Sequence, residues 1–192
     1  DQTFNSLIWI AETYSGLGQG ATDSARATAF FGHAAESYRQ IIERADELVS
    51  DEAKRKKLVP GVTLRLANCR RHQKDFEEAH TLIVGLATRQ PLALDVQFEA
   101  AALYQAWGKS GRSDQFDKAI IGVESERILG WSQIALYLQR LIDSGSKDAD
   151  RYRTRRWEAR YNQLQCRIQR AEVASESNEK TDQLKRARSE IQ

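Results

Sequence analysis

The hydrophobic positions of residues 60–91 fall into two blocks, separated by the polar triplet Gln73-Lys74-Asp75. Leu64, Leu66 and Ala67 mark one side of the first block. After Phe76, the residues Ala79, Ile83 and Leu86 step by four and then three along the second. Side chains at that spacing share one face of a helix, so the stretch predicts two antiparallel helices joined by a tight turn. Pro91 ends the second helix, because proline lacks an amide donor and its ring clashes with the preceding turn.

The same period organises the rest of the chain. Leu7, Ile8, Ile10, Ala11 and Tyr14 predict a helix over 3–17, ended by Gly16 and Gly18. Thr22 or Asp23 can cap a long helix over 23–49, with Phe30, Phe31, Ala34, Tyr38 and Ile41 in its stripe. A break at Ser50-Asp51 precedes the basic run Lys54-Arg55-Lys56-Lys57, read as a solvated helix lead-in. A helix over 92–107 follows Pro91, and a delayed partner carries Ala119 and Val123 on its apolar side. Ile128-Leu129-Gly130-Trp131 reads as a junction. Ile134, Ala135, Leu138, Leu141 and Ile142 form the next stripe. A second long helix spans about 148–173, with Tyr152, Trp157, Tyr161, Leu164, Ile168 and Ala171 as its apolar side. A polar loop at 175–180 and a last segment at 181–191, with Leu184, Ala187 and Ile191, close the chain. Sustained period-two alternation is absent, so the expectation is an all-α protein of about eight helices.

Residues 60–91 resemble a tetratricopeptide repeat, a helix–turn–helix unit of about 34 residues. Ala67 and Ala79 stand at the small positions where the two helices cross. Phe76 stands at the aromatic beside the turn, Ile83 at the large apolar position and Pro91 at the terminal proline. The stretch departs from the pattern at Thr63, Arg70 and Lys74, where the family has tryptophan, tyrosine and glycine. One period forward, Ala101, Tyr104 and Gly108 match the small residue, the tyrosine and the turn glycine. Backward, Ala11, Tyr14 and Gly18 do the same, and Ala34, Tyr38 and Ile41 follow a longer turn. The resemblance implies one domain over 1–192, a right-handed α-solenoid of antiparallel helix pairs. Its units would be about 4–49, 60–91 and 92–127, with a divergent helical part at 128–192.

Composition fits this picture without sharpening it. Of the 192 residues, 41% are apolar and 29% charged, a balance that supports a packed core. The apolar runs are too short to cross a bilayer. The chain begins at Asp1 and has no methionine, which points to a processed form or a piece of a longer protein. Cys69 and Cys166 lie far apart on separate helices and read as small packing residues. Charge is uneven. Residues 151–192 hold eleven of the 29 Lys/Arg and six of the 27 Asp/Glu, or +5, which leaves eighteen against twenty-one, or −3, before them.

Catalytic chemistry finds no footing. Gly108-Lys109-Ser110 resembles the end of a phosphate loop, but Leu103 stands where the first glycine belongs and the preceding segment is helical. Glu77-x-x-His80 is a single instance of a metal-binding spacing, and His33 and His72 have no ligand partner at such a spacing. The expectation is therefore a non-enzymatic module with no catalytic residue, cofactor or metal. By the family resemblance it binds a peptide or partner helix along the concave side of its first helices. The implied groove comprises Asn5, Ile8 and Glu12, then Leu64, Asn68, Arg71 and His72, then Phe98, Ala102 and Gln105. Ile8, Leu64 and Phe98 occupy sites where the carboxylate-clamp version of the family needs polar residues, so an apolar segment of some acidic character is expected. Two alternatives stand beside this. One is RNA or another polyanion held by Arg151, Arg155, Arg156 and Arg160 on the helix at 151–170. The other is a structural spacer within a larger protein. On that helix the stripe spacing puts the aromatics toward the core and the arginines toward water.

Overall fold

The structure, a computed structural model, describes residues 3–174 and 177–189. Those residues form ten α-helices and one two-stranded antiparallel ladder, so the protein is all-α in class. The chain divides into two compact units, residues 1–86 and 87–192.

In the first unit, α1 (Phe4–Gly20) and α2 (Ser24–Glu43) form a helical hairpin. Thr3 starts α1 with a capping box: its hydroxyl accepts from the Ser6 amide at 3.2 Å, and the Ser6 hydroxyl accepts from the Thr3 amide at 2.9 Å. The helix does not stop at Gly16 or Gly18, as its sequence suggests, but continues to Gly20. Gly18 is buried, and a Cβ there would come within 2.9 Å of the Phe31 ring. This glycine serves close packing instead of chain reversal. Asp23 caps α2 by accepting from the Arg26 amide at 2.7 Å. The long helix expected over 23–49 is interrupted at Arg44, and a single turn, α3 (Ala45–Leu48), follows.

The second helix pair opens earlier than the Pro60 boundary of the sequence reading. α4 runs from Glu52 to His72 with Pro60 inside it. Asp51 caps it by accepting from the Lys54 amide at 3.1 Å. The basic run is its first turns, with Lys56 paired to Glu52 at 2.6 Å and Arg55 to Asp46 at 2.8 Å. The turn at 73–75 falls where expected. Lys74 adopts the left-handed conformation, φ 65°. Its amide donates to Arg71 O at 3.0 Å and the Asp75 amide donates to Arg70 O at 2.9 Å, which is the Schellman closure of a helix end. α5 (Phe76–Arg89) then begins at the expected aromatic. The core of this unit joins Leu7, Ala11, Phe31, Ala34, Tyr38, Ile41, Val62 and Leu66, with Ala67, Ala79 and Ile83 also fully buried.

The second unit contains α6 (Leu94–Lys109), α7 (Gln115–Ile121), α8 (Trp131–Asp143), α9 (Ala149–Val173) and α10 (Ser177–Ser189). The partner helix expected to carry Val123 ends at Ile121. Val123 instead lies in β1 (Gly122–Val123), paired with β2 (Ile128–Leu129) through a short 3-10 turn. Gly122 makes this possible, with φ +92° and neighbouring backbone atoms 2.4 Å from where a Cβ would sit. Gln97, fully buried, pins the hairpin to α6: its amide nitrogen donates to Pro91 O at 2.7 Å and Arg127 O at 2.9 Å, and its oxygen accepts from the Leu129 amide at 2.7 Å. Tyr104 adds a bond to Glu126 at 2.6 Å. The polar loop read at 175–180 is helical from Ser177 onward. Ile191 lies outside the described residues.

Candidate interaction groove

Of the residues that the family resemblance assigned to a groove, two belong to the core. Phe98 is buried with its ring edge-on to Trp131, centroids 5.5 Å apart. Gln105 is buried too, and its oxygen accepts from the Trp131 indole nitrogen at 3.2 Å. Neither can meet a ligand, because α8 delivers Trp131 onto the same side of α6. The others remain reachable to differing degrees. Asn5 and Glu12 are exposed on α1; Ile8 is half-buried against the core. Leu64, Asn68 and Arg71 are half-buried on α4, as is Ala102 on α6. His72 is exposed but stacks flat on Phe31, 4.2 Å between centroids with 7° between planes. Glu12 pairs with Arg65 at 3.0 Å, so within the first unit α1 and α4 present adjoining surfaces.

The arginine-rich helix departs further from expectation. α9 buries Ala159, Cys166 and Ala171, not its aromatics. Trp157 is 62% exposed and Tyr161 61%. At about 100° per residue, both lie about 160° around the helix from Ala159. Small residues on the core side let α9 sit close to its neighbours, which turns the bulky side chains outward. Several of its arginines meet carboxylates, among them Arg155 with Asp95, Arg170 with Asp117, and Arg153 with Asp150. Arg155 also lies 3.9 Å above the Phe98 ring.

Between α8 and α9 runs a groove of about 600 Å³. Ser132, Ala135, Leu136 and Gln139 form one wall, and Arg156, Trp157, Arg160, Tyr161, Gln163 and Leu164 the other. The α8 wall steps by three and four, one continuous helix face. The guanidinium groups of Arg156 and Arg160 lie 5.5 and 5.7 Å from the Trp157 ring centre, within cation–π reach. Among the described residues that line the groove, Arg156 and Arg160 are cations and none is a carboxylate. Leu136, 61% exposed, extends its apolar floor. Sequence reasoning missed Leu136 as a surface residue. The available signal was a leucine off the stripe of an otherwise amphipathic helix, facing a segment where aromatics and arginines alternate.

Three interior groups are held protonated by burial. Cys69 and Cys166 are buried free thiols. Burial pushes the Cys166 thiol up to about 12, with Lys109 and a bond from Trp131 acting against it. A thiol held protonated is a poor nucleophile. Burial likewise raises Tyr38 to about 12, and burial with the Glu126 bond raises Tyr104. Gly108 and Lys109 are helical, so the sequence resembling a phosphate loop forms no such loop. Among the described residues, no three His, Cys, Asp or Glu side chains gather as a metal site would require, and no helix is long and apolar enough to cross a membrane.

Fold and surface together define an all-α protein with an apolar, cation-edged groove on its second unit. No family model, curated protein or solved structure matches the chain.

Proposed function

We propose that this chain is a non-catalytic protein-interaction module, built of tetratricopeptide-like helix pairs stacked as a right-handed solenoid, which binds a peptide or a partner helix. One recurring contact carries the reading. Gly18 faces the Phe31 ring and Gly108 faces the Phe116 ring, with would-be Cβ distances of 2.9 and 2.8 Å. In each case the glycine follows a Tyr-x-x-x spacing on a first helix, and the phenylalanine stands three residues before a buried alanine on the second, Ala34 or Ala119. Phe76 and Ala79 repeat the same three-residue step in the middle pair, beside a turn that Lys74 closes in the left-handed conformation. A phenylalanine at that step is thus a shared feature of three pairs in which the chain from Gly18, Lys74 or Gly108 to that phenylalanine differs in length. Gly18 and Gly108 meet the ring in the same way although those lengths differ, as expected when a repeated unit must keep its seam.

Display selection tests the proposal. Short displayed peptides, panned against the immobilised full chain, should yield a recurring sequence class that binds the free chain in solution with micromolar affinity. Enrichment no greater than against an unrelated helical protein rejects the reading.

A further inference from the structure

The geometry points to a specific occupant for the groove between α8 and α9: a short amphipathic helix of a partner protein, with bulky apolar anchors on one face and acidic residues flanking them. This deepens the interaction-module reading and rests on it. Three observations favour it. The α8 wall runs from Ser132 to Gln139, roughly 10 Å of helix, which suits about two turns of a partner laid alongside. Leu136, Trp157 and Tyr161 are each at least 61% exposed, forming an apolar floor that a water-facing helical hairpin does not otherwise need. Arg156 and Arg160 edge that floor, and among the described residues that line it there is no carboxylate, so the complement is acidic.

The same facts argue against a nucleic-acid strand. Arg156 and Arg160 lie against the Trp157 indole, where a base would have to displace them to stack. Arg153, Arg155 and Arg170 are committed to Asp150, Asp95 and Asp117, so the field of the helix is weaker than its arginine count suggests.

The test uses the full chain and the peptides recovered by display. The enriched class should space leucine, phenylalanine or tryptophan at i, i+3 or i+4, and i+7, with Asp or Glu between. Trp157→Ser should weaken binding of those peptides by about thirtyfold, the effect of losing a central aromatic anchor. Leu136→Ser and the double variant R156E/R160E should each weaken it as well, all with unchanged helical circular dichroism. The exposed positions of Leu136 and Trp157 keep the variants folded. Peptides that enrich but ignore all these changes, and respond instead to Arg71→Glu, overturn this groove while leaving the interaction-module reading intact. Failure of any peptide to enrich removes both. Tighter binding of an oligouridylate than of the peptides at physiological salt, abolished by R156E/R160E, overturns the partner class, as does a Trp157-dependent dimer in sedimentation.

Discussion

Two glycines only two positions apart on α1 have opposite roles. Gly16 has open space where a Cβ would go, whereas Gly18 faces the buried ring of Phe31. Gly16→Ala should therefore raise stability by about 1 kcal/mol through helix propensity. Gly18→Ala should lower it by about 1–3 kcal/mol, since overpacking a buried ring outweighs that gain. Chemical denaturation of the two variants would settle the signs, and equal effects would refute the packing role. Lys74 is a third backbone case. Its left-handed conformation, at the position where the tetratricopeptide pattern has glycine, costs a side-chain-bearing residue about 1 kcal/mol. Lys74→Gly should recover most of that in unfolding experiments, provided the Schellman bonds from Lys74 and Asp75 are retained.

At the scale of elements, the hairpin at 122–129 depends on one side chain. Gln97, itself fully buried, satisfies two carbonyls and one amide in part-buried contacts. Gln97→Leu keeps the apolar bulk but removes every one of those bonds, and each buried group left unpaired costs about 1–3 kcal/mol. Because these groups are only part-buried, the expected result is a fall of about 1–3 kcal/mol, with loss of hydrogen-exchange protection at Leu129 ahead of the helices. Uniform loss across α6, α7 and the hairpin would contradict this. The helix boundaries follow a similar logic. Thr3, Asp23 and Asp51 cap where a short polar side chain can reach free amides, so the starts of α1, α2 and α4 are local decisions. The end of α7 is not local. It follows from the fit of Gly122 against Ile128 and Gly130, residues separated from it in sequence by the hairpin turn.

For the whole molecule, the buried hydroxyls and thiols set the response to alkali. An ordinary cysteine ionises near 9.0 and an ordinary tyrosine near 10.0, whereas burial holds Cys166 and Tyr38 protonated to about 12. Above about pH 9 the unfolded chain releases protons that the fold retains. Stability is therefore present in full below about pH 9 and is lost as the pH rises toward about 12. Cys166→Ala should make that decline shallower, whatever it costs near neutrality, as seen in denaturation midpoints across the alkaline range. An unchanged slope would assign the decline elsewhere. The same scale separates net charge from surface charge. The +5 of residues 151–192 is a property of composition. Pairing Arg155 to Asp95 and Arg170 to Asp117 removes two of its cations from service to a polyanion.

The sequence by itself determined what depends on near neighbours in the chain. Periodic apolar residues make the class all-α, and Gln73-Lys74-Asp75 sets the turn before Phe76. The small residues Ala67, Ala79 and Ala101 mark positions that the fold buries completely. Tertiary structure alone decided which way each shared face points. Spacing groups Trp157 with Tyr161, but burial of Ala159 and Cys166 turns that pair toward water. The arrival of Trp131 on α6 closes Phe98 and Gln105 to any ligand. The physical reason is the same throughout. Periodicity is fixed by the rotation of one helix about its own axis, whereas exposure is fixed by the volume of the residues through which that helix meets another.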